Sequence, residues 1–171
     1  MVTLLTGASH TGKTLLAQRL IERRPCFCLS LDHLKMGLIR SGYTSLTPED
    51  DHLALTDYLW PIAREMAKTA IENGQDLILE GCYIPFAWQR DFSPAYREHL
   101  RFLCLVMTED YLRANFSQVL AFENQGERRQ RDPSYTLERA LAENRFYLEG
   151  CRAQGLTPLL IRRSWMEDLP W

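Results

Sequence analysis

The stretch that decides the fold is Gly7-Ala8-Ser9-His10-Thr11-Gly12-Lys13-Thr14. It matches the pattern G-x-x-x-x-G-K-[ST] at every position, with an apolar run at 2–6 before it and an amphipathic run at 15–24 after it. These flanks predict a buried strand followed by a helix, which is the setting in which this pattern binds phosphate. The alternative is a chance glycine turn between a strand and a helix.

The residue types of this loop suit a nucleotide phosphate. Glycines at 7 and 12 let the backbone bend so that its N–H groups face one centre, and the following helix adds its positive dipole end. Lys13 would place a charge on the β- and γ-phosphates, and Thr14 would offer a hydroxyl to Mg²⁺. The loop therefore predicts ATP and Mg²⁺ as ligands. ATP is favoured over GTP because the sequence lacks an N-K-x-D base-reading motif.

Length and charge restrict the class of protein. The 171 residues fit one domain, spanning 1–171, and the formal net charge of −2 gives no general attraction to nucleic acid or membranes. No apolar run has membrane-spanning length, and the sequence starts with a predicted core strand, so we expect no signal peptide and a cytoplasmic location. The five cysteines lack paired C-x-x-C clusters, which favours reduced structural cysteines over a zinc site.

Short apolar strands alternate with helical segments along the chain. The predicted strands are 2–6, 26–31, 76–81, 100–107 and 157–161. The predicted helices are 15–24, 33–40, a long one from Thr47 to the stop at Asn73, a short one at Ser93, one after Thr108, and 137–153. Pro61 is expected to kink or divide the long helix. This alternation predicts an α/β protein, with a parallel sheet that has helices on both faces.

Two acidic residues follow predicted buried strands. Asp32 follows the second strand and Glu80 ends the third, at the edge of a parallel sheet where ligands gather. Asp32 could accept a proton from a substrate hydroxyl or hold magnesium through water, and Glu80 could orient a magnesium water or a substrate group. The alternatives are that Asp32 caps the helix starting at His33 and that Glu80 pairs with a nearby base.

Aromatic residues follow the third strand. Tyr83 and Trp88 could form the wall of a substrate pocket, although a hydrophobic cover over the core explains them equally well. With Tyr43 and Phe86 they would indicate an acceptor with an apolar or planar part. His52 has no second ligand at helical spacing, so we expect a solvated or capping residue there.

An arginine cluster occupies residues 127–133. It contains Arg128, Arg129 and Arg131. Guanidinium groups match phosphate oxygens in pairs, so a mobile arginine could stabilise a phosphoryl group during its transfer. The alternative is a solvated charged loop between two helices.

These features together resemble the nucleoside-monophosphate-kinase-like group of small phosphate-loop kinases. The resemblance covers most of the chain and rests on the loop, on Asp32, on Glu80-Gly81, on 128–132 with the helix after it, and on 157–159. It implies a three-layer phosphate-loop fold with five parallel strands in the order 2-3-1-4-5. It also implies an acceptor-binding helical region at about 33–60 and a lid at about 124–136.

The resemblance also implies roles for single residues. Lys13 and Thr14 would hold ATP and Mg²⁺, and Asp32 would activate the acceptor. Arg128 and Arg131 would close over ATP as lid residues. The candidates for contact with the acceptor are Asp32, Arg40, Tyr43, Glu80 and Tyr83.

The sequence departs from adenylate kinases in the stretch 80–86. It lacks the arginine that follows proline in their D-G-[FY]-P-R motif, and its lid is short. We therefore expect ATP-dependent phosphoryl transfer to a small acceptor, with a hydroxyl favoured over a phosphate. Two other functions stay open. One is a nucleotide-binding regulatory protein without an acceptor, and the other is a polynucleotide 5′-hydroxyl kinase that uses 128–131, which the weak overall charge ranks last.

Overall fold

The computed structural model describes residues 1–122 and 134–169. Five parallel strands form one sheet in the order β2-β3-β1-β4-β5, which confirms the predicted fold class and strand order. The strands are β1 Val2–Gly7, β2 Phe27–Ser30, β3 Leu77–Glu80, β4 Leu100–Met107 and β5 Leu159–Ile161.

Helices cover both faces of the sheet. They are α1 Lys13–Arg23, α2 Leu31–Arg40, α3 His52–Glu72, α4 Pro94–Arg97, α5 Glu109–Ala121, α6 Leu137–Ala153 and α7 Trp165–Asp168. A 3-10 turn at Trp88–Asp91 follows β3. The predicted bounds of β4 and α6 are confirmed, and the helix predicted after Thr108 begins at Glu109 with the Thr108 side chain accepting from the N–H of Tyr111.

Alternate residues of β1 face the two halves of the core. Leu4 packs with Leu59 of α3, whereas Leu5 packs with Leu16 of α1 and Leu112 of α5. Because successive side chains of a strand point to opposite faces, the central strand is buried on both sides. The rigid core therefore fixes the position at which β1 ends and the phosphate loop begins.

The second strand is more exposed than predicted. Phe27 is 73% exposed, Cys28 is exposed, and Leu29 and Ser30 are only half-buried, so the prediction of a buried strand was wrong. The physical reason is its place at the edge of the sheet, where it pairs only with β3. The alternative that Asp32 caps a helix is contradicted, because Ser30 is the N-cap of α2 and Asp32 lies in its first turn.

The long helix α3 begins later than predicted. Asp51 is its N-cap rather than Thr47, and the Asp51 carboxylate accepts from the N–H groups of Leu53 at 2.9 Å and Ala54 at 3.2 Å. The helix continues through Pro61 as one element, so the predicted division does not occur. Buried residues around the proline, among them Leu59 and Trp60, hold this part of the helix against the core.

Two expectations about composition can be compared with the described residues. All five cysteines lie within them and are free thiols, as expected. Within 1–122 and 134–169, the structure contains no helix long and apolar enough to cross a membrane.

Candidate active site

The phosphate loop turns sharply at two glycines. Gly7 has a φ of 139°, and a Cβ at this position would lie 2.2 Å from the carbonyl oxygen of Leu105. Gly12 has a φ of 81°, and a Cβ there would lie 2.4 Å from Nε1 of Trp165. A larger residue is therefore excluded at both positions, by backbone strain and by space. His10 also adopts a left-handed conformation, with a φ of 62°.

The loop is closed around the carbonyl oxygen of Ala8. The Thr11 hydroxyl donates to this oxygen at 2.7 Å, and the Lys13 ammonium donates to it at 2.8 Å. Ala8 and Thr11 are fully buried. The lysine is thus folded back over the loop, where its charge lies beside the backbone turn.

Thr14 and Glu80 meet at the end of the central strands. The Thr14 hydroxyl lies 3.4 Å from Oε1 of Glu80, whose side chain is buried. Gly81 follows with a φ of 156°, and a Cβ there would lie 2.8 Å from Cβ of Leu31. Glycine at this position lets the backbone leave β3 beneath the start of α2.

Asp32 belongs to a polar cluster that includes a residue missed in the sequence. Lys35 Nζ donates to Asp32 Oδ1 at 3.0 Å and to the Tyr83 hydroxyl at 2.8 Å. Burial opposes the charged form of Lys35, but the hydrogen bond to Tyr83 and the charge of Asp32 outweigh it and raise the pKa of Lys35. Burial raises the pKa of Tyr83 to about 12, so its phenol stays neutral. Asp32 itself is 40% exposed and can be reached from solvent.

The carbonyl of Cys82 joins three elements beside this cluster. It accepts from Nε2 of His52 at 3.1 Å and from the Tyr147 hydroxyl at 3.1 Å. His52 is exposed, as expected for a solvated residue, and its ring also stacks on Tyr83 with centroids 5.4 Å apart. A cleft of about 290 Å³ opens here. Its walls include His52, Leu53, Ile84, Phe86, Phe146 and Tyr147.

The phosphate loop is also contacted by α6, by the residues just before it and by α7. The Tyr135 hydroxyl donates to the carbonyl of Ser9 at 3.1 Å, and its ring stacks on His10 with centroids 4.0 Å apart. Glu143 Oε2 accepts from the Ser9 N–H at 3.2 Å. Trp165 donates its indole N–H to the carbonyl of Thr11 at 3.2 Å. Contacts from distant parts of the chain therefore fix the loop backbone.

Some predicted acceptor residues lie away from Asp32. Arg40 is the last residue of α2, eight residues beyond Asp32, which corresponds to about 12 Å along the helix axis. Tyr43 is 79% exposed, and its carbonyl accepts from the Tyr58 hydroxyl at 3.1 Å. Trp88 is buried in the core next to Phe92 and Phe102.

Other predicted residues lie outside the described part. Arg128 and Arg131, and most of the predicted lid at about 124–136, belong to the stretch 123–133 that the structure does not describe. Within the described ranges, no group of three or more His, Cys, Asp or Glu side chains could hold a metal ion by itself.

Sequence reasoning missed several residues of this site. Lys35 had a weak signal, because a lysine three residues after Asp32 lies on the same side of a helix. Glu143 and Trp165 had none, since they reach the loop from 134 and 154 residues away. Arg139, at the start of α6, pairs with Glu143 and lies over the Tyr135 ring.

Solved structures share this fold at low sequence identity. A candidate kinase from Chloroflexus aurantiacus aligns with a TM-score of 0.53 and 17% identity, over 99% of this chain and 91% of that one. Shikimate kinase from Bacteroides thetaiotaomicron aligns with a TM-score of 0.53 and 14% identity, over 98% and 89%. A chain of the Pnkp1/Rnl/Hen1 RNA repair complex gives 0.51 and 15%, over 86% of this chain but 45% of that one. At these identities the likeness shows a phosphate-loop kinase fold.

Sequence comparison identifies the family. A search of curated proteins found no match. The profile of the family AAA_33, described as an AAA domain, matches residues 2–149, which include the phosphate loop, Asp32, Glu80 and most of α6. Because this match covers far more than half of the 171 residues, the chain belongs to the AAA_33 family of AAA domains.

Proposed function

We propose that this protein is an ATP- and Mg²⁺-dependent phosphotransferase that acts on a hydroxyl group of a small acceptor. One observation carries the proposal. The phosphate loop follows β1, Glu80 ends β3, Asp32 lies just beyond β2, and these strands are neighbours in the order β2-β3-β1. In the register, Glu80 pairs with Leu5 on one side and with Ser30 on the other. Glu80 therefore lies between the nucleotide side and the acceptor side at one edge of the sheet.

The nucleotide side has donors that fit a triphosphate with its cation. The loop amides, Lys13 and the start of α1 would hold the β- and γ-phosphates. The Thr14 hydroxyl and the Glu80 carboxylate are hard oxygen ligands, 3.4 Å apart, of the kind that Mg²⁺ prefers. Thr14 would bind the cation directly and Glu80 through a water. When bound, Mg²⁺ supplies charge neutralisation at the β- and γ-oxygens.

The acceptor side has a base held in place by a cation. Asp32 would accept the proton of the acceptor hydroxyl. As it does so, the hydroxyl oxygen of the acceptor would bond to the γ-phosphorus of ATP. The bond between this phosphorus and the oxygen of the β-phosphate would break, which gives ADP. Lys35 orients the carboxylate through its hydrogen bond to Asp32, and the Tyr83 hydroxyl holds Lys35 in place. Tyr83 is buried, so its role in our proposal is to position Lys35.

Arginines would neutralise the phosphoryl group during transfer. Arg139 lies beside the loop, paired with Glu143, and is the described arginine that we propose for this role. Arg128 and Arg131 remain our candidates for lid residues. Three guanidinium groups from one segment would suit the charge that spreads over the equatorial oxygens of the transferring group.

The cleft beside Cys82 suggests the class of acceptor. Its walls are mostly apolar or aromatic, and Phe146 at its rim is 53% exposed. The cluster of Asp32, Lys35 and Tyr83 contains one cation, which is already bound to Asp32. A hydroxyl compound with an apolar or planar part fits this arrangement better than a phosphate acceptor does. Arg40 and Tyr43, within the proposed acceptor region 33–60, would contact the outer part of such a molecule.

A panel of acceptors tests the proposal. ADP release should be measured with hydroxylated metabolites, nucleosides, nucleoside monophosphates, aminoglycosides and a 5′-hydroxyl oligonucleotide. We expect one hydroxyl class to raise the rate above the rate without acceptor, and Lys13→Ala to abolish the increase. A rate that no acceptor raises, despite ATP binding, would instead favour a regulatory nucleotide-binding protein. Stimulation by the oligonucleotide alone would favour the polynucleotide kinase.

A further inference from the structure

The Glu143 carboxylate of α6 accepts a hydrogen bond from a backbone N–H of the phosphate loop. Glu143 Oε2 accepts from the N–H of Ser9 at 3.2 Å, and Oε1 of the same carboxylate accepts from Nε of Arg139 at 3.0 Å. The Glu143 side chain is 26% exposed. One carboxylate thus bridges a loop amide and an arginine, and both kinds of donor can bind a phosphate oxygen.

The position of α6 beside the phosphate loop does not depend on Glu143. Thr136 is the N-cap of α6 and accepts from the N–H of Arg139 at 3.3 Å, so the first turn of the helix is fixed. Asn144, next to Glu143, accepts from the buried N–H of Met107 at 2.7 Å and ties α6 to β4. Tyr135 binds the carbonyl of Ser9. Glu143 is therefore not needed to hold α6 against the loop, and its carboxylate can leave while the helix stays.

From this geometry we infer that Glu143 is an internal substitute for a phosphate, which the terminal phosphate of the bound triphosphate displaces. This inference rests on the nucleotide site of the proposed function. A phosphate oxygen at the Ser9 N–H would lie against the carboxylate, and two like charges at this distance repel strongly in a partly buried site. Glu143 must turn away, and Arg139 then exchanges the carboxylate for the phosphate.

The exchange would affect ATP and ADP differently. A diphosphate held by the rest of the loop leaves the Ser9 N–H to Glu143, because the terminal phosphate is missing. After transfer, the carboxylate would return to the Ser9 N–H while ADP is still bound. Glu143 would lower the affinity for ATP, but it would keep the loop ordered before the nucleotide binds.

Calorimetry with Glu143→Gln tests the inference. The affinities of a non-hydrolysable ATP analogue and of ADP, each with Mg²⁺, should be measured for the wild type, for Glu143→Gln and for Glu149→Gln. Glu149 is an exposed glutamate on the same helix, so it controls for the loss of one charge. We expect Glu143→Gln to bind the ATP analogue roughly three- to tenfold more tightly, since one charge-assisted hydrogen bond no longer has to be given up. The affinity for ADP should change less, and Glu149→Gln should match the wild type.

The amide resonance of Ser9 gives a second readout. Without nucleotide, the chemical shift of this amide should differ between the wild type and Glu143→Gln. When both proteins are saturated with the ATP analogue, the two chemical shifts should coincide. Equal or weaker binding of the analogue by Glu143→Gln would overturn the inference and leave the nucleotide site intact. A wild type that binds neither nucleotide would overturn the proposed function as well, so the two failures can be told apart.

Discussion

The hydroxyl of Thr14 lies 3.4 Å from the carboxylate of Glu80, although 66 residues separate them in the sequence. Thr14 is in the first turn of α1, and Glu80 ends β3, the neighbour of β1 in the sheet. Parallel pairing of these strands brings both side chains to one edge. Two oxygen donors beside a phosphate loop therefore follow from the topology.

Replacing Glu80 should weaken the binding of Mg²⁺. In Glu80→Gln the carboxylate that would hold a cation-bound water becomes a neutral amide of the same shape. We expect the Mg²⁺ concentration for half-maximal activity to rise at least about tenfold, since the carboxylate is the charged member of the pair. Titration of activity with Mg²⁺ measures this, with the exposed Glu98→Gln as control. An unchanged Mg²⁺ requirement would remove Glu80 from the cation site.

Replacing Asp32 should lower turnover more than replacing Lys35. In Asp32→Asn the amide cannot take the acceptor proton, so kcat should fall by about 10²- to 10⁴-fold while ATP affinity stays unchanged. In Lys35→Met the carboxylate remains but loses the cation that orients it, so we expect a smaller fall in kcat. Steady-state kinetics of the two variants and the wild type separate the two effects. Equal kcat values for Asp32→Asn and the wild type would exclude Asp32 as the base.

Some parts of the fold and of this site could be predicted from the sequence, because they depend on a local pattern of residues. Eight consecutive residues that are mostly apolar marked β4, and the helical run at 137–153 marked α6. The phosphate loop and the strand-end position of Glu80 were visible for the same reason. Such features need only neighbouring residues, because hydrophobic periodicity and capping act over a few positions.

The contacts that complete the site were not predictable. Tyr83 meets Lys35 across 48 residues, and Glu143 meets Ser9 across 134. Each depends on how separate elements pack, for which a single sequence carries no periodic signal. The exposure of Phe27 was missed for a related reason, since an apolar strand at the edge of a sheet looks like a central one.

Asn144 should be important for stability. Its side chain is buried, accepts from the N–H of Met107 at 2.7 Å and donates to the carbonyl of Ala140 at 2.8 Å. Asn144→Ala leaves the Met107 N–H without this acceptor, which should lower the free energy of unfolding by about 1–3 kcal/mol. Urea denaturation measures the change. Glu149→Ala, at an exposed position of the same helix, should stay within about 0.5 kcal/mol of the wild type. Equal losses in both variants would contradict this role.

Asp168 should stabilise the protein in a pH-dependent way. Its carboxylate accepts from the backbone N–H groups of Arg162 at 2.7 Å, Arg163 at 2.6 Å and Ser164 at 3.2 Å. The hydrogen bond from the Arg163 N–H, followed by that from Arg162, lowers the pKa of Asp168 below its usual value. Because the pKa is lower in the folded state, the stabilisation is present above the unfolded pKa of about 3.9 and is lost as the pH falls through the folded value.

We therefore expect the wild type to melt at a higher temperature than Asp168→Asn at pH 7, and the difference to shrink below about pH 4. Thermal unfolding at pH 7, 5 and 3 measures it, with Asp57→Asn in α3 as the control for the loss of one carboxylate. The turn that Asp168 holds also carries Trp165, which donates to the carbonyl of Thr11 in the phosphate loop. Asp168→Asn should for this reason weaken nucleotide binding at pH 7. A difference in melting temperature that stays constant from pH 7 to pH 3 would show that the carboxylate charge is not its source.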